Sequence, residues 1–485
     1  MTNLVDSLIV GAGISGLSLA HSLNREKNPR SPLKVLVTES QNRVGGNITT
    51  GRASDFLWEE GPNSFAPTPE LLRLAVDLGL KQELIFADRK LPRYVYWNHK
   101  LHPVPMTPPA LLSSQLISPR GKLRAALGAI GFVPPPVGAH LSQQRGEETI
   151  AQFFHRHLGS EVLERLVQPF VSGVYAGDPQ QLAVRSAFSR LVAAEDAGGA
   201  LIPGFVRSRL NKKATQDTTP DPNIPKTRPG ELGSFRYGLE TLPETLASKL
   251  GDRVKLNWTL DRFYPTPHQT YIAEFSTPDG PQQVETRTLA LMTPAHVSAR
   301  LLQPLHSQIA SALSQIPYPP VACVVLAYPK SALKQQLKGF GNLIPRHQGI
   351  RTLGTIWTSS LFPGRAPESW QVLSNYIGGA TDPEIGEMDD DQIVAAVHQD
   401  LRQILLAEDV PPKVLAVHLW RRAIPQYTLG HQDRLNSINA GLRSLPGLYL
   451  CSNYIDGVSV GDCVRRGQQW ASQIQSHLHH QPTAN

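Results

Sequence analysis

The sequence is poor in cysteine and contains no long apolar run. Its three cysteines, Cys323, Cys451 and Cys463, form no C-x-x-C pair and no metal-ligand spacing with histidine, so neither a disulfide framework nor a zinc site is expected. We therefore expect a reduced, intracellular setting. The most apolar stretches, 125–137 and 319–328, are shorter than the ~18 residues that cross a bilayer. An integral membrane protein is thus not expected, while peripheral membrane contact stays open.

Charged residues are also scarce, at 18% of 485 residues against 40% hydrophobic residues, which excludes disorder as the main state. The length predicts roughly two to four structural units. The 38 glycines and 41 prolines predict many turns. A net charge of +7 favours acidic small molecules, a membrane surface or nucleic acid as partners. Basic and aromatic residues form no clustered stripe, so nucleic-acid binding is not expected.

The first forty residues carry the clearest local pattern. A short apolar strand at 7–10 is followed by a glycine loop, a helix at 17–24 and an apolar strand at 34–38, as in a parallel sheet. The loop Gly11-Ala12-Gly13-Ile14-Ser15-Gly16 matches G-x-G-x-x-G, in which backbone N–H groups and a helix N-terminus face a pyrophosphate. Glu39 ends the second strand, where an acid accepts hydrogen bonds from an adenosine ribose. The alternative is a plain turn with a solvated acid.

Because the strand begins in the first ten residues, no signal or transit peptide is expected.

A second glycine pair follows at once, in Arg43-Val44-Gly45-Gly46. Nicotinamide-dependent dinucleotide folds do not require this R-x-G-G run, whereas flavoproteins with two dinucleotide domains carry it. Arg43 offers charge to the pyrophosphate, and the glycines allow the backbone to approach the cofactor. The run favours FAD over a nicotinamide cofactor, with an ordinary turn as the alternative.

The rest of the chain predicts a mixed organisation. The spacing of apolar residues predicts a helix over 149–170, and the polar, proline-rich stretch 209–232 predicts a linker or mobile excursion. The second half alternates predicted strands (321–327, 371–377, 414–419, 447–451) with predicted helices (298–303, 391–407, 464–478).

Five segments give the chain a recognisable resemblance: RVGGNITT (43–50), WEEGPNSF (58–65), PRYVYWNHKLHPVP (92–105), FVSGVYAGDP (170–179) and SNYIDGVSVGDCVRRG (452–467). With them the sequence resembles the FAD-dependent amine oxidase superfamily, and within it the oxygen-dependent protoporphyrinogen oxidases of plants and cyanobacteria. The resemblance covers nearly the whole chain, and 209–232 matches poorly.

The resemblance implies a mixed α/β (α+β) fold. It consists of a Rossmann-like FAD domain of the two-dinucleotide-domain type, an antiparallel-sheet substrate domain and a helical domain that contacts the membrane. Carried over, the FAD domain comprises 1–88, 237–300 and 416–485, the helical domain 89–208, and the substrate domain 209–236 with 301–415.

The resemblance also implies the cofactor site. The FAD pyrophosphate lies at Gly11, Ala12, Gly13, Ile14, Ser15 and Gly16, the ribose at Glu39 and Ser40, and the phosphate side at Arg43 and Gly46. Gly61, Pro62, Asn63 and Ser64 run beside the flavin, Val254 contacts adenine through its backbone, and Trp420, Val458, Ser459 and Val460 lie near the isoalloxazine. The helix after Gly461 directs its positive end at the flavin. A half-buried core aromatic is the alternative for Trp420.

The implied substrate is protoporphyrinogen IX, an apolar tetrapyrrole with two propionates. Arg93 falls on the propionate-binding arginine, and a solvated strand-start arginine is the alternative. Leu343, Ile356 and Tyr376 align with ring-contacting residues and are otherwise plain strand-core residues. Tyr376 departs from the phenylalanine often found there. Gly173 and Gly177 let the backbone approach the tetrapyrrole, or simply form a turn.

No side-chain acid or base is assigned, and no metal site is expected. The histidines at 296, 347, 418 and 431 are interpreted as surface or core residues. The implied activity is the oxidation of protoporphyrinogen IX in three two-electron steps, with hydride passing from a meso carbon to flavin N5 and O2 reduced to H2O2. Coproporphyrinogen III oxidation, a related amine oxidase or desaturase, and a non-catalytic dinucleotide-fold scaffold are the alternatives. An anionic membrane, a second copy of the chain and a downstream chelatase are the further partners considered.

Overall fold

The structure is a computed structural model that describes residues 3–25, 33–134, 147–213, 222–228 and 230–480. Its strands are β1 (Asn3–Val10), β2 (Val35–Thr38), β3 (Thr50–Ala53), β4 (Phe56–Glu59), β5 (Leu84–Phe86), β6 (Arg93–Trp97), β7 (Lys100–Pro103), β8 (Gly233–Phe235), β9 (Val254–Lys255), β10 (Thr259–Pro265), β11 (Tyr271–Ser276), β12 (Gln282–Leu291), β13 (Val321–Pro329), β14 (Gly341–Leu343), β15 (Thr352–Ile356), β16 (Trp370–Gly378), β17 (Lys413–Trp420) and β18 (Leu448–Leu450).

The helices of the same residues are α1 (Ile14–Asn24), α2 (Pro69–Asp77), α3 (Pro108–Ser113), α4 (Pro119–Ile130), α5 (Ile150–Leu158), α6 (Ser160–Val162), α7 (Gln168–Tyr175), α8 (Val184–Ala187), α9 (Ser189–Gly198), α10 (Leu201–Lys213), α11 (Thr241–Leu250), α12 (Ala295–Leu302), α13 (Ser307–Ser314), α14 (Thr358–Leu361), α15 (Asp390–Ile404), α16 (His431–Leu442) and α17 (Val460–His480). The predicted mixed α/β class is confirmed.

The first sheet contains the N-terminal unit. Its strand order is β10-β11-β12-β1-β2-β9, with β18 also paired to β12. β1 pairs in parallel with β12 on one side and β2 on the other, and its apolar residues Leu8, Ile9 and Val10, where both pairings are present, are buried on both faces. Helix α1 buries Leu17 in the same core as Ile474 of α17. The predicted strand, loop, helix and strand of the first forty residues are confirmed.

The second sheet has the order β17-β13-β16-β15-β14-β6-β7, and its pairings are antiparallel except for β14 with β6. Helix α15, which opens with a capping box between Asp389 and Gln392, covers one face. There Val397 and Leu401 pack with Val324 of β13 in one buried cluster. The opposite face is turned toward residues 56–61, because Phe56 and Trp58 pack with the other side of β13.

The helical region differs from its prediction at one point. The expected helix over 149–170 is divided, because Gly159 adopts φ +83°, a conformation that ends α5 after its capping box at Thr149 and Gln152. A short helix α6, a π-helical turn at Leu163–Val167 and α7 follow. The period of the apolar residues persists through this break, which is why a single helix is expected from the sequence.

Three of the expected boundaries do not coincide with the sheets. The expected boundary at 88/89 assigns β6 and β7 to the helical domain. In the structure they lie in the second sheet, because β6 pairs with β14 in a register that places Arg93 opposite Gly341. β17 spans the boundary at 415/416 and completes the edge of the same sheet. Helix α13, expected with the substrate sheet, buries Ile309 and Leu313 in a core cluster of the first sheet.

The expected linker at 209–232 is partly helical. Helix α10 extends to Lys213, and residues 222–228 form turns and irregular chain, while 214–221 and 229 lie outside the described residues. None of the helices described is both long enough and apolar enough to span a membrane.

Candidate active site

The glycine loop at the carboxyl end of β1 uses its three glycines differently. Gly11 has φ +112°, and a Cβ on Gly16 would lie 2.0 Å from the Gly11 carbonyl oxygen, so the backbone itself requires both glycines. Gly13 has an ordinary extended conformation, with φ −69° and ψ 174°, and a Cβ there would meet no atom within 4 Å. The fold does not require glycine at position 13, and this open space is where a ligand would approach the N-terminus of α1.

Glu39 is fixed against the start of this loop. Its Oε2 accepts a hydrogen bond from the Ala12 N–H at 2.9 Å, and its Oε1 accepts from the Gln41 N–H at 3.0 Å and the Ser40 hydroxyl at 3.2 Å. Val254 lies at the sheet edge in β9, paired with β2. The carboxylate is therefore positioned by both the loop and the following turn, beside the expected nucleotide.

The R-x-G-G run packs against the glycine loop. The Gly45 N–H donates to the Ala12 carbonyl at 2.9 Å, and Gly13 and Gly45 form a parallel bridge. The Arg43 guanidinium donates to the carbonyls of Gly46, at 2.7 Å, and Val44, at 3.2 Å. Arg43 thus braces its own loop, and a direct charge contact with the pyrophosphate stays a prediction.

The segment 61–64 runs between this loop and the second sheet. A Cβ on Gly61 would lie 1.9 Å from the Asn47 carbonyl oxygen and 3.9 Å from the Trp420 ring, so only glycine fits there. Two residues on, Asn63 is buried, and neither polar atom of its side chain has a hydrogen-bond partner among the described residues. A buried unpartnered amide is unfavourable, and it indicates that a polar ligand completes the site. Pro62 and Ser64, on either side, are half-buried.

The C-terminal segment contributes the start of α17. Val460 is buried in the cluster that contains Ala12 and Ile14 of the glycine loop, whereas Val458 is half-buried and Ser459 is exposed. The Asp462 N–H donates to the Ser459 hydroxyl at 3.1 Å, which caps the first turn. The predicted cofactor residues of both chain ends are thereby brought to one end of the first sheet.

These features fit a dinucleotide cofactor. The open space at Gly13 supplies a place for phosphates. The carboxylate of Glu39 and the amide of Asn63, which has no hydrogen-bond partner in the described part of the chain, supply two polar groups for hydrogen bonding.

The predicted substrate residues share one face of the second sheet. The register pairs Arg93 with Gly341 and Gly341 with Ile356, and two positions along it pairs Leu343 with Gly354 and Gly354 with Tyr376. Because paired residues and residues two apart point to the same side, Arg93, Leu343, Ile356 and Tyr376 lie on one face. Trp420 lies on the same face, because it pairs with Val321 of β13, and Cys323, two residues after Val321, pairs with Tyr376.

Arg93 stands on that face without an acidic partner. It forms no ion pair with a described carboxylate; its guanidinium donates to the Gly230 carbonyl at 3.3 Å and lies 5.3 Å from the centre of the Phe340 ring. Burial alone lowers the pKa of Arg93, with no neighbouring charge contributing. A half-buried cation lacking a counter-ion suits an incoming carboxylate.

The two glycines expected at the tetrapyrrole have different surroundings. A Cβ on Gly173 of α7 would lie 2.3 Å from a methyl of Leu343, so the helix reaches the sheet face at a predicted substrate residue. Gly177 packs instead against Leu182 and the amide of Gln426. Ile356 packs in an apolar cluster with Phe362. The structure therefore brings Gly173 to the sheet face, whereas Gly177 lies in the irregular chain after α7.

Tyr376 and Trp420 both contact the segment before Asn63. The Tyr376 hydroxyl donates to the Gly61 carbonyl at 3.1 Å, and the Trp420 indole N–H donates to the Glu60 carbonyl at 2.9 Å. The Tyr376 hydroxyl, which has no evident role in the sequence, thus points to the predicted cofactor segment.

Sequence reasoning gives no role to the acids of WEEGPNSF, yet both are paired in the structure. Glu59 is buried with Arg365, whose Nη1 lies 3.6 Å from Glu59 Oε1, and the Thr50 hydroxyl donates to Glu59 Oε2 at 2.7 Å. Burial raises the pKa of Glu59 to about 7 against the opposing effect of Arg365. Two consecutive acids at the end of the apolar strand β4, Glu59 as its last residue and Glu60 after it, are the sequence signal for such a buried charge.

Glu60 pairs with a histidine that the sequence suggests is incidental. His418 Nδ1 lies 3.5 Å from Glu60 Oε2, and its ring centre lies 4.0 Å from that of Trp420. The hydrogen bond from His418 lowers the pKa of Glu60, outweighing its partial burial. His418 is thus part of the junction between the second sheet and the segment 59–61.

The sequence is similar to known flavoproteins over nearly its whole length. Residues 14–475 match the family described as flavin containing amine oxidoreductase. The chain is 44% identical over 484 residues to protoporphyrinogen oxidase 1, chloroplastic, of Spinacia oleracea, covering 98% of this chain and 85% of that protein. It is 29% identical to coproporphyrinogen III oxidase of Bacillus subtilis, covering 97% of this chain and 98% of that protein.

Solved structures share the fold over nearly the whole chain. A candidate protoporphyrinogen oxidase from Exiguobacterium sp. superposes with a TM-score of 0.77 at 23% identity, covering 99% of this chain and 100% of that chain. Cyclohexylamine oxidase from Brevibacterium oxydans gives a TM-score of 0.66 at 19% identity, covering 98% and 100%.

Proposed function

The chain belongs to the family of flavin-containing amine oxidoreductases, and on that premise we propose that it oxidises protoporphyrinogen IX to protoporphyrin IX with FAD. The observation that carries the proposal is the single sheet face holding Arg93, Leu343 and Ile356, with Tyr376 and Trp420 bonded to the segment beside the predicted flavin site. Relatives named protoporphyrinogen oxidase, at 42–44% identity over nearly the full length, support it.

The residues that would hold FAD are those at the carboxyl end of β1. The glycine loop and the N-terminus of α1 would bind the pyrophosphate, Glu39 the ribose, and the buried amide of Asn63 a polar edge of the cofactor. FAD supplies the two-electron oxidation when it is bound.

The second sheet would bind and orient the porphyrinogen. Arg93 would pair with a propionate, since it has no described carboxylate as partner, and the apolar side chains of Leu343 and Ile356 would contact the rings. Gly173 brings α7 against Leu343 and would exclude water from one side of the substrate. The protein's contribution to the reaction is thus orientation and desolvation.

The proposal includes O2 as the electron acceptor. Each of three steps removes two hydrogens from the substrate and reduces one O2 to H2O2, so that six hydrogens leave the porphyrinogen in total. Oxidation of coproporphyrinogen III is the second candidate, and the Bacillus subtilis relative is the observation that favours it.

A product assay with both porphyrinogens tests the proposal. The purified, flavin-loaded protein should convert protoporphyrinogen IX to fluorescent protoporphyrin IX with one H2O2 per two electrons, and coproporphyrinogen III at a lower kcat/KM. Faster turnover of coproporphyrinogen would support the second candidate. A flavin-loaded preparation that oxidised only amines would overturn both.

We extend the proposal to peripheral contact with an anionic membrane. Exposed apolar side chains concentrate in the helical region, among them Leu112, which is 75% exposed, and Phe132, which is 70% exposed. Arg120 and Lys122 of α4 lie nearby in sequence and add positive charge. Such a combination favours binding at the surface of a bilayer that contains anionic lipid.

Vesicle co-sedimentation tests this contact. Wild-type protein should bind vesicles containing phosphatidylglycerol, and L112S/F132S should bind about tenfold more weakly because it buries less apolar surface. L429S, at an exposed leucine outside the region, is the control. Equal binding by all three proteins would refute the contact. Light scattering tests whether a second copy of the chain is a partner. Pull-down with a metal chelatase tests whether a downstream chelatase is one.

A further inference from the structure

Three neighbouring strands of the second sheet bind one short piece of backbone. Cys323 of β13 donates its thiol to the Glu59 carbonyl at 3.7 Å, Trp420 of β17 donates to the Glu60 carbonyl at 2.9 Å, and Tyr376 of β16 donates to the Gly61 carbonyl at 3.1 Å. Three consecutive carbonyls are thereby held by three side chains of one sheet face.

We propose that Tyr376 and Trp420, with Cys323 beneath them, are positioning residues that set the predicted flavin segment 61–64 relative to the substrate face of the second sheet. This inference rests on the proposed function and assigns the Tyr376 hydroxyl a role toward the cofactor site. We name the three side chains and the carbonyls of 59–61 the carbonyl clamp.

The register makes the clamp rigid. Cys323 pairs directly with Tyr376 across β13 and β16, and Val321, two residues before Cys323, pairs with Trp420 across β13 and β17. The donors therefore come from adjacent paired strands and are fixed relative to one another by the sheet's own hydrogen bonds. The same face carries Arg93 and Leu343, so any shift of the clamp changes the distance between segment and substrate residues.

The opposite side of the segment is equally constrained. Gly61 is wedged between the Asn47 carbonyl, 1.9 Å from where its Cβ would lie, and Trp420. Asn47 follows the R-x-G-G loop, which packs on the glycine loop. The segment thus touches both halves of the site. Asn63 lies within the segment, two residues after Gly61, and its buried side chain has no hydrogen-bond partner among the described residues.

Burial keeps the donors protonated. It holds the pKa of the Tyr376 hydroxyl well above its ordinary value and raises the pKa of the Cys323 thiol to about 12. Both groups are therefore neutral donors at physiological pH.

The test compares Y376F with a matched control. Tyr271 also donates its hydroxyl to a backbone carbonyl, that of Pro446 at 2.9 Å, but it lies in the first sheet away from the clamp. Y376F and Y271F each lose one such hydrogen bond, so their melting temperatures should fall by similar small amounts.

Only Y376F should change the flavin site. We expect its FAD Kd to rise about two- to tenfold and its kcat to fall by a similar factor, because a single hydrogen bond changes an equilibrium by about that much. The KM for porphyrinogen should stay unchanged, and the visible absorption band of bound FAD should shift. W420F should change FAD affinity in the same direction.

The outcomes separate the two proposals. If Y376F matches Y271F in FAD Kd, in the flavin spectrum and in kcat, the clamp is overturned while the proposed activity stands. If the wild-type protein binds FAD but oxidises no porphyrinogen, the proposed function fails, and FAD affinity and spectrum still decide the clamp.

Discussion

The first sheet presents backbone at the end of its central strand, whereas the second sheet presents side chains across its open face. Gly13 leaves open space at the start of α1, and Gly11 and Gly16 allow the turn that makes it. On the second sheet Arg93, Leu343 and Trp420 come from strands far apart in the chain and meet only through register. A site made of backbone is encoded by one short motif, while a site made of side chains depends on the whole sheet.

The junction between the two sheets uses both backbone groups and side chains. The carbonyls of 59–61 are bound by side chains of the second sheet, while Gly61 packs on the loop beside the first. Substitutions in the two sheets should therefore separate into effects on FAD and effects on substrate, and substitutions at the junction should affect the stability of the protein or the FAD site.

The largest expected effect is at the junction. R365M leaves the Glu59 carboxylate buried without its cation and should lower the free energy of unfolding by about 3–5 kcal/mol at pH 8. Because the folded pKa of Glu59, about 7, is raised above its ordinary value, the stability that this group contributes is full at low pH and is lost as pH rises through 7. The loss in R365M should thus be smaller at pH 5, as urea unfolding at both values can show.

E59Q is the control for this effect. A neutral amide neither ionises nor needs the guanidinium, so E59Q/R365M should unfold with much less dependence on pH between 5 and 8 than R365M alone. An R365M protein as stable at pH 8 as at pH 5 would show that Glu59 and Arg365 are not coupled.

The next largest effect separates two glycines of the first sheet. G16A places a methyl 2.0 Å from the Gly11 carbonyl and should destabilise the protein by about 1–3 kcal/mol with loss of FAD. G13A meets no atom and should leave the FAD-free protein within about 0.5 kcal/mol of wild type, yet raise the FAD Kd at least about tenfold, because the methyl occupies the open space. Thermal unfolding with and without FAD measures both, and a G13A protein with wild-type FAD affinity would place the cofactor elsewhere.

A smaller, more selective effect is expected on the second sheet. R93A removes a cation that forms no ion pair among the described residues and should raise the KM for porphyrinogen about tenfold, since hydrogen bonds to charged groups contribute about 1.5–3 kcal/mol, while FAD content and kcat stay near wild type. R89A, at an exposed arginine four positions earlier, is the matched control. Steady-state kinetics in which R93A and R89A agree would remove Arg93 from the substrate site.

The features that could be predicted from the sequence are those encoded by short local motifs. The glycine loop and the acid at Glu39 are local patterns, and the structure has both of them where the sequence predicts them. The break at Gly159 was not predictable from periodicity, because the apolar spacing continues across it.

Register and burial explain what the sequence leaves open. Nothing in the alternation of Tyr376 and its neighbours indicates that its hydroxyl reaches the Gly61 carbonyl, since that contact depends on how β13 and β16 pair. Arg365 gives no local signal of burial beside Glu59, because the two residues meet only in the folded protein. Contacts between distant segments are set by tertiary packing and are absent from any local pattern.

The central claim is that FAD at the first sheet oxidises a porphyrinogen held by the second. Anaerobic titration of the flavin-loaded protein with protoporphyrinogen IX tests it most directly, with flavin absorption and porphyrin fluorescence followed together. We expect the absorption of oxidised flavin to bleach as substrate is added, and readmission of O2 to restore it as protoporphyrin IX forms. Flavin that stays oxidised in the presence of the porphyrinogen, but bleaches with a primary amine, would contradict the account.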